Sequence, residues 1–537
     1  MNIENKLKDI IKNAIDLDID INDIEIEVPS IKEHGDFSTN IAMKCCKKLG
    51  KSPIAIAQDI ISKINDELIL KVEVKGPGFI NFFVKKDYLL ENIKTIIKEQ
   101  DNYGRSDIGN HAKINVEFVS VNPTGVIHVG HGRGACFGDS LCNILSFSGH
   151  DVTREYYIND AGNQMNNMAL SIKERYKEVC GLDFHMEDNF YMGEEIKEVA
   201  KMMYEEKEEA YLDSDLETFK KKGLDCFLGK IKEDLNEIGV SFDIWTSEQK
   251  LRDNNLVEEA YLKLKELGYT YEQDDAIYLK TTAFFDDKDR VIIKNDGSYT
   301  YLAPDIAYHL DKLNRGYDKL IDVLGADHHG YVPRLKSAVT MLGGDANKLD
   351  VPLVQMVRLI KDGNEYKLSK RTGKTITLSE LVNEAGVDAI RYFFISRSLD
   401  TQMDFDIDLA TKKSTDNPVY YVQYAHARIC SILKDYNIEV EDDYKFETIT
   451  SDIAYNVLTK LDEFKKVVEK SALKKEPHLI VNYVYELASL FHSYYGKEKI
   501  ITEDEKYTKE RIMLTKAVKI TIANANKLIG ISSPERM

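Results

Sequence analysis

The stretch from Ile114 to Asp160 constrains the fold more than any other part of the chain. INVEFVSV (114–121) is apolar and β-branched, the pattern of a buried strand. NPTG (122–125) breaks it. GHGRGACFGDSLCNILSF (130–147) carries small residues early and helical apolar spacing later, and DVTREYYIND (151–160) reads as the next strand. Strand, glycine-bearing turn, helix and strand make a βαβ unit. Such a unit implies a parallel sheet that takes its ligands at the carboxyl ends of its strands.

The rest of the chain is organised around that unit. Its 537 residues allow three or four domains at about 100–200 residues each. Residues 1–65 read as helices around a short loop, EHGDFSTN (33–40). KVEVKGPGFINFFV (71–84) suggests two strands and a turn, and DYLLENIKTIIKEQ (87–100) a helix. A turn-rich segment at 104–110 sets the first boundary, giving an α+β domain at 1–105. An α/β domain with a Rossmann-like parallel sheet is expected over 106–415, interrupted by a charged, mainly helical insertion at about 165–280. AIYLKTT and RVIIKNDGSYTYLAPDIAYHLDKL (290–313) return to strand, turn and helix. KLIDVLGADHHG (319–330) is a strand ending in a polar loop, and VPLVQMVRLI (351–360) another strand. After Asn417-Pro418 the pattern is helical almost to the end, an all-α domain at 416–537.

Composition narrows the class. Hydrophobic residues make up 43% and charged residues 30%, and no window approaches a membrane span of roughly 18–20 apolar residues. The N-terminus lacks the apolar core of a signal peptide. Seven scattered cysteines, with no C-x-x-C pair and no H-E-x-x-H, argue against a disulfide framework and a structural metal; the cytoplasm is the expected location. The net charge of −19 does not favour nucleic acid, although basic clusters lie around Lys465–Lys475 and Lys509–Lys527.

Two motifs carry chemistry. His128-Val129-Gly130-His131 falls between strand and helix, where free N–H groups and the helix dipole favour phosphate. Imidazoles there donate hydrogen bonds as charge moves onto a leaving group, and Gly130 leaves room for a nucleotide. The alternative is two surface histidines at a helix start. The overlapping Gly130-x-Gly132-x-x-Ala135 fits a loose dinucleotide fingerprint and so a nicotinamide-dependent oxidoreductase, a weak signal alone. Lys367-Leu-Ser-Lys370-Arg371, in a lysine-rich loop running to Lys374, is either a solvated surface run or a clamp for a triphosphate. Together, in this order and context, the two motifs point to an ATP-using enzyme.

At this point the chain resembles a known family. His128–His131 is similar to the HIGH signature of class I aminoacyl-tRNA synthetases, and Lys367–Arg371 to their KMSKS signature. VEFVSVNPTGVIHVGHGRG (116–134), SYTYLAPDIAYH (298–309), VLGADHHGY (323–331), NPVYYVQYAHAR (417–428) and the terminal PERM resemble bacterial arginyl-tRNA synthetases over essentially the full length. The resemblance implies that arginine and ATP give arginyl-adenylate and pyrophosphate, and that arginine then passes to the terminal adenosine of tRNA(Arg). It makes His128, His131, Lys367 and Lys370 the catalytic groups, with Mg2+ accompanying ATP. It assigns 1–105 to an added tRNA-binding domain and 416–537 to anticodon binding. The enzyme is expected to act as a monomer. A catalytically silent tRNA-binding relative is disfavoured, because both signatures are intact.

A guanidinium is planar and permanently charged, so its site needs converging carboxylates. Similarity to the family assigns Glu117, Tyr301 and Asp305 to the arginine side chain and Asn122 to substrate positioning. Structural pairing is the alternative for Glu117 and a helix cap for Asp305. Gly325, Asp327 and His328 end another strand, where they either meet the ATP ribose or form a simple turn. Tyr420, Tyr421 and Tyr424 sit at helical spacing, either as core or as platforms for tRNA bases.

Overall fold

The computed structural model describes residues 3–29, 31–366, 376–436 and 440–537. The chain divides into two units. One combines Met1–Tyr103 with Leu433–Glu463 and Leu490–Ile520; the other combines Gly104–Ile432 with Phe464–Ser489 and Thr521–Met537.

In the first unit, the Ile3–Ala14 helix places Ile3, Leu7, Ile11 and Ala14 on one buried side, the three-to-four-residue spacing of an amphipathic helix. They join the core formed by Ile56, Ile60, Ile80 and Phe82, each such side chain stabilising the fold by about 1.5–3 kcal/mol. The Pro53–Lys63 helix begins cleanly because Ser52 accepts from the Ala55 amide and Pro53 occupies the first position. The expected loop at 33–40 is in part a strand. Phe37–Thr39 is buried and pairs antiparallel with Phe79–Val84, which also pairs with Ile69–Lys75. Three residues beside Gly35 are too short to show an alternating pattern. The 433–463 segment is tied in through Glu510, whose carboxylate accepts the amides of Glu447 at 2.9 Å and Thr448 at 2.7 Å.

The second unit holds a five-stranded parallel sheet in the order Leu349–Asp350, Lys319–Asp322, Lys113–Glu117, Asp151–Ile158, Ile244–Ser247. Strand order reverses between Lys113–Glu117 and Lys319–Asp322, which makes their carboxyl ends the switch point where such sheets bind ligands. The Val129–Phe147 helix crosses from the first strand to its neighbour. Its small residues serve close packing. A Cβ on Gly138 would lie 2.2 Å from Phe118 Cγ, and one on Gly132 would lie 2.8 Å from Leu378 Cδ1 and 3.0 Å from Phe394.

The helical stretch after the second strand comprises Asn163–Val179, Glu194–Lys207 and Leu216–Glu237, packed around Met165, Ile172, Ile196 and Phe219. It ends sooner than the expected insertion, because Ile244–Ser247 rejoins the sheet as an edge strand. Ala276–Leu279 and Arg290–Ile293 belong to a separate antiparallel sheet with Thr270–Gln273. The single strand expected at 351–360 is broken into Leu353–Val354 and Val357–Lys361. The two pieces pair with different strands, the first with Leu324–Gly325 and the second with Met403–Asp406. Beyond Pro418 the described chain is helical, beginning with Pro418–Leu433. No helix among the described residues is long and apolar enough to cross a membrane.

Candidate active site

The register between the two central strands pairs Glu117 with Asp322 at their last positions. Beyond Glu117 the chain turns through Val119 (φ 70°) and Ser120 (φ 41°). A β-branched residue in the left-handed region is rare, and each such residue costs about 1–3 kcal/mol. The neighbours hold the turn in place. Tyr156 donates its hydroxyl to the Val121 carbonyl at 2.9 Å, and the Tyr157 amide donates to Ser120 Oγ at 3.0 Å. The turn delivers the Ser120 hydroxyl to Glu117 Oε1 at 3.0 Å.

Behind Glu117 lies a buried charge network supplied by one helix face. Asp305, His309 and Lys312 stand at positions i, i+4 and i+7 of the Leu302–Asn314 helix. Lys312 donates to Glu117 Oε2 at 2.6 Å and to Asp322 Oδ1 at 2.8 Å. His309 Nε2 lies 2.8 Å from Asp322 Oδ2, and its Nδ1 is 2.7 Å from the Asp305 carbonyl. Burial opposes the charge on Asp322, but Lys312 and His309 outweigh it and hold the carboxyl well below its usual range. Burial pushes Glu117 upward against the pull of Lys312. Asp305 is pushed up to about 7 by burial, while the Tyr331 hydroxyl that donates to it pulls the other way.

Two histidines line the same cavity as these acids. His128 is the N-cap of the Val129–Phe147 helix and makes no capping bond through its side chain. The His128 and His131 rings stack at 3.7 Å between centroids and 27° between planes. Burial lowers His128, and burial with the neighbouring His128 brings His131 down to about 4. Both rings are therefore neutral at neutral pH. His131 Nδ1 is buried without a hydrogen-bond partner among the described residues. Lys367 and Lys370 lie outside the described residues. The chain beyond them pairs with the histidine segment: His128 bridges Thr377, Val129 N donates to Ile376 O at 3.3 Å, and Leu378 N donates to Ile127 O at 2.9 Å.

Arg133, one turn further on, is fully buried and donates to four carbonyls, those of Phe394, Gln355, Thr401 and Ser398, at 2.8–3.4 Å. It fixes the helix start against Gln355 and against the 394–401 segment that leads into Met403–Asp406.

A cavity of about 630 Å³ opens over these groups. It brings together Glu117, Asn122 and Asp305 from the expected arginine set, and His128 and His131 from the catalytic set. Gly325, Asp327 and His328 also line it, the two side chains exposed and 3.6 Å apart. The Asn122 amide is held by Gln164 Oε1 at 2.8 Å.

Other expected residues are not brought there. Tyr301 precedes the Leu302–Asn314 helix as its N-cap, is 68% exposed and does not line the cavity. Gly130 is exposed and also lies outside the lining; a Cβ there would meet only the His128 ring, at 3.6 Å. Tyr420, Tyr421 and Tyr424 are half-buried on the Pro418–Leu433 helix, away from this cavity. Tyr420 stacks on Tyr424 at 6.0 Å and lines a separate cavity with Lys412, Lys413 and Gln423. Arg428 lies over the Tyr424 ring at 4.4 Å, and Tyr421 packs on Tyr485.

Sequence reasoning missed Lys312, His309 and Asp322. The signal was present: a polar stripe at 305, 309 and 312 in an otherwise apolar helix start, opposite a buried strand ending in aspartate. The dinucleotide pattern has another cause, since Gly132 is demanded by Leu378 and Phe394.

Comparison with known proteins places this geometry. Three family models match: the arginyl tRNA synthetase N terminal domain over residues 1–84, the catalytic domain of class I (R) tRNA synthetases over 92–398, and the DALR anticodon binding domain over 422–537. The chain is 48% identical to the arginine–tRNA ligase of Oceanobacillus iheyensis, covering 99% of each protein. It is 46% identical to that of Bacillus subtilis over the whole of both. The Thermus thermophilus arginyl-tRNA synthetase structure shares the fold, with a TM-score of 0.77 at 19% identity, over all of both chains.

Proposed function

The chain belongs to the arginyl-tRNA synthetase family, and on that premise we propose how its residues divide the work of an arginine–tRNA ligase. The enzyme activates L-arginine with ATP, releasing pyrophosphate, and transfers the arginyl group to the terminal adenosine of tRNA(Arg). In activation, an arginine carboxylate oxygen bonds to the α-phosphorus. The bridging P–O bond to the β-phosphate breaks, and its electron pair leaves with pyrophosphate.

Glu117 and Asp305 hold the guanidinium, and Asn122, steadied by Gln164, positions the substrate. His128 and His131 donate neutral N–H groups to phosphate oxygens as charge develops, with no proton to lose at neutral pH. Lys367 and Lys370 neutralise the departing pyrophosphate. Gly130 leaves space for ATP, and Gly325, Asp327 and His328 meet its ribose. Tyr301 closes over the arginine side chain once it is bound. Mg2+ accompanies ATP, supplying charge to the triphosphate. Residues 1–105 contact tRNA, and 416–537 read the anticodon through Tyr420, Tyr421 and Tyr424. The protein works as a cytoplasmic monomer.

The observation that carries this reading is that one cavity is lined both by the carboxylates of Glu117, Asp305 and Asp322 and by the stacked rings of His128 and His131. Arginine-dependent pyrophosphate exchange and charging of tRNA(Arg) with labelled arginine test it. Charging with arginine alone among the amino acids is expected; no charging of a competent tRNA(Arg) pool overturns it.

A further inference from the structure

Lys312 has no exposed surface, yet it brings a positive charge into the corner that a substrate cation is to occupy. Its ammonium touches Glu117 of the first strand and Asp322 of the neighbouring one, and lies 4.2 Å from the Tyr308 ring centroid. Asp305 and His309 face the same corner from its own helix. Glu155, on the Asp151–Ile158 strand, acts on it from further away and is already held by both arms of Arg315, at 2.9 and 3.0 Å.

Glu117, Asp322 and Asp305 are three carboxylates in one poorly hydrated space. Without cations they would repel, take up protons and accept any small positive ion. Lys312, bonded to Glu117 and Asp322, offsets part of that charge beside His309, and what is left suits a guanidinium. Lys312 and Ser120 also occupy one oxygen each of Glu117, which fixes the plane of that carboxylate. A lysine substrate would bring a second compact ammonium toward Lys312, whereas a guanidinium spreads its charge over a plane and reaches Asp305 as well.

We propose that Lys312 is a positioning residue for amino-acid recognition: it holds Glu117 ionised in one orientation and sets the residual charge of the pocket, so that a guanidinium is accepted and an ammonium refused. The inference rests on the arginine side chain lying between Glu117 and Asp305.

Arginine- and lysine-dependent pyrophosphate exchange, with tRNA(Arg) present, tests it in the full-length protein. Lys312→Met is expected to raise the arginine KM by about tenfold or more while kcat changes little and the ATP KM stays put, because a bond to a charged group is lost in ground state and transition state alike. The arginine KM of the variant falls more steeply with rising pH than that of the unaltered enzyme, because Glu117 then titrates. Exchange with lysine rises relative to arginine. An unchanged arginine KM and pH profile in folded Lys312→Met overturns the inference. If that variant does not fold, the near-isosteric Asp322→Asn decides. It leaves Lys312 to cancel Glu117 alone, so a raised arginine KM supports the inference and an unchanged one overturns it. Glu117→Gln and Asp305→Asn run alongside: if neither moves the arginine KM, the placement of arginine is wrong; if both do and Lys312→Met does not, only the role of Lys312 fails.

Discussion

Glu117 and Asp322 are register partners at the ends of two parallel strands, and a single buried ammonium spans both carboxylates. The sheet itself creates this juxtaposition: parallel register puts the two acids side by side at the point where strand order reverses. A site for a cationic substrate is thus prepared by topology before any loop contributes.

Asp305→Asn removes an acid that burial has pushed up to about 7. Arginine affinity is expected to fall by up to about 100-fold, the worth of a charge-assisted bond, as read by calorimetry. In the unaltered protein arginine prefers the ionised carboxylate. Below pH 7 a proton must leave on binding, so affinity rises with pH toward 7 and levels off above it. Unchanged affinity in the variant would remove Asp305 from the arginine site.

His131→Ala is expected to slow activation by about 100-fold or more with little effect on the arginine KM, as when a transition-state donor is removed. Lys370→Ala is expected to do the same. Because His131 loses its proton near pH 4, the rate of activation shows no step from this residue between pH 6 and 8. An effect confined to arginine KM would overturn the phosphate role.

Gly130→Ala and Gly132→Ala separate two reasons for glycine. The first meets only the His128 ring and is expected to keep the melting temperature while raising the ATP KM. The second drives a methyl into Leu378 and Phe394 and is expected to cost about 1–3 kcal/mol, partly recovered by Leu378→Ala. Thermal denaturation and ATP titration read the two effects apart.

Arg133→Met leaves buried carbonyls without donors. A loss of about 3 kcal/mol or more in denaturant unfolding is expected, because each unmet buried group costs roughly 1–3 kcal/mol. Stability within a few tenths of the unaltered protein would show that water replaces the guanidinium.

Much of the catalytic sheet was legible: the helix at 129–147 and the second strand at 151–158 fall almost where the pattern puts them, whereas the first strand, expected over 114–121, stops at Glu117 because Val119 and Ser120 turn through left-handed backbone. Phe37–Thr39 and Ile244–Ser247 were not legible, since three or four residues carry no period and their pairing partners are remote in sequence. Local signals singled out His128 and His131, and family similarity Glu117 and Asp305, and the fold brings these four to one cavity. The cations that balance those acids escaped notice, because a lysine in the third turn of a helix reads as solvated until the opposing strand ends are known. Tyr301, assigned to the arginine side chain by family similarity alone, is an exposed N-cap residue that lies off the helix face shared by Asp305, His309 and Lys312.

The bonds joining Ile127–Val129 to Ile376–Leu378 run between main-chain atoms. Main-chain bonds do not depend on side-chain identity. Substitutions can therefore accumulate along both edges of this seam without moving the histidines. A one-residue insertion or deletion cannot be absorbed in the same way, because it shifts the register of the seam. Length, more than lettering, is what descent must conserve here.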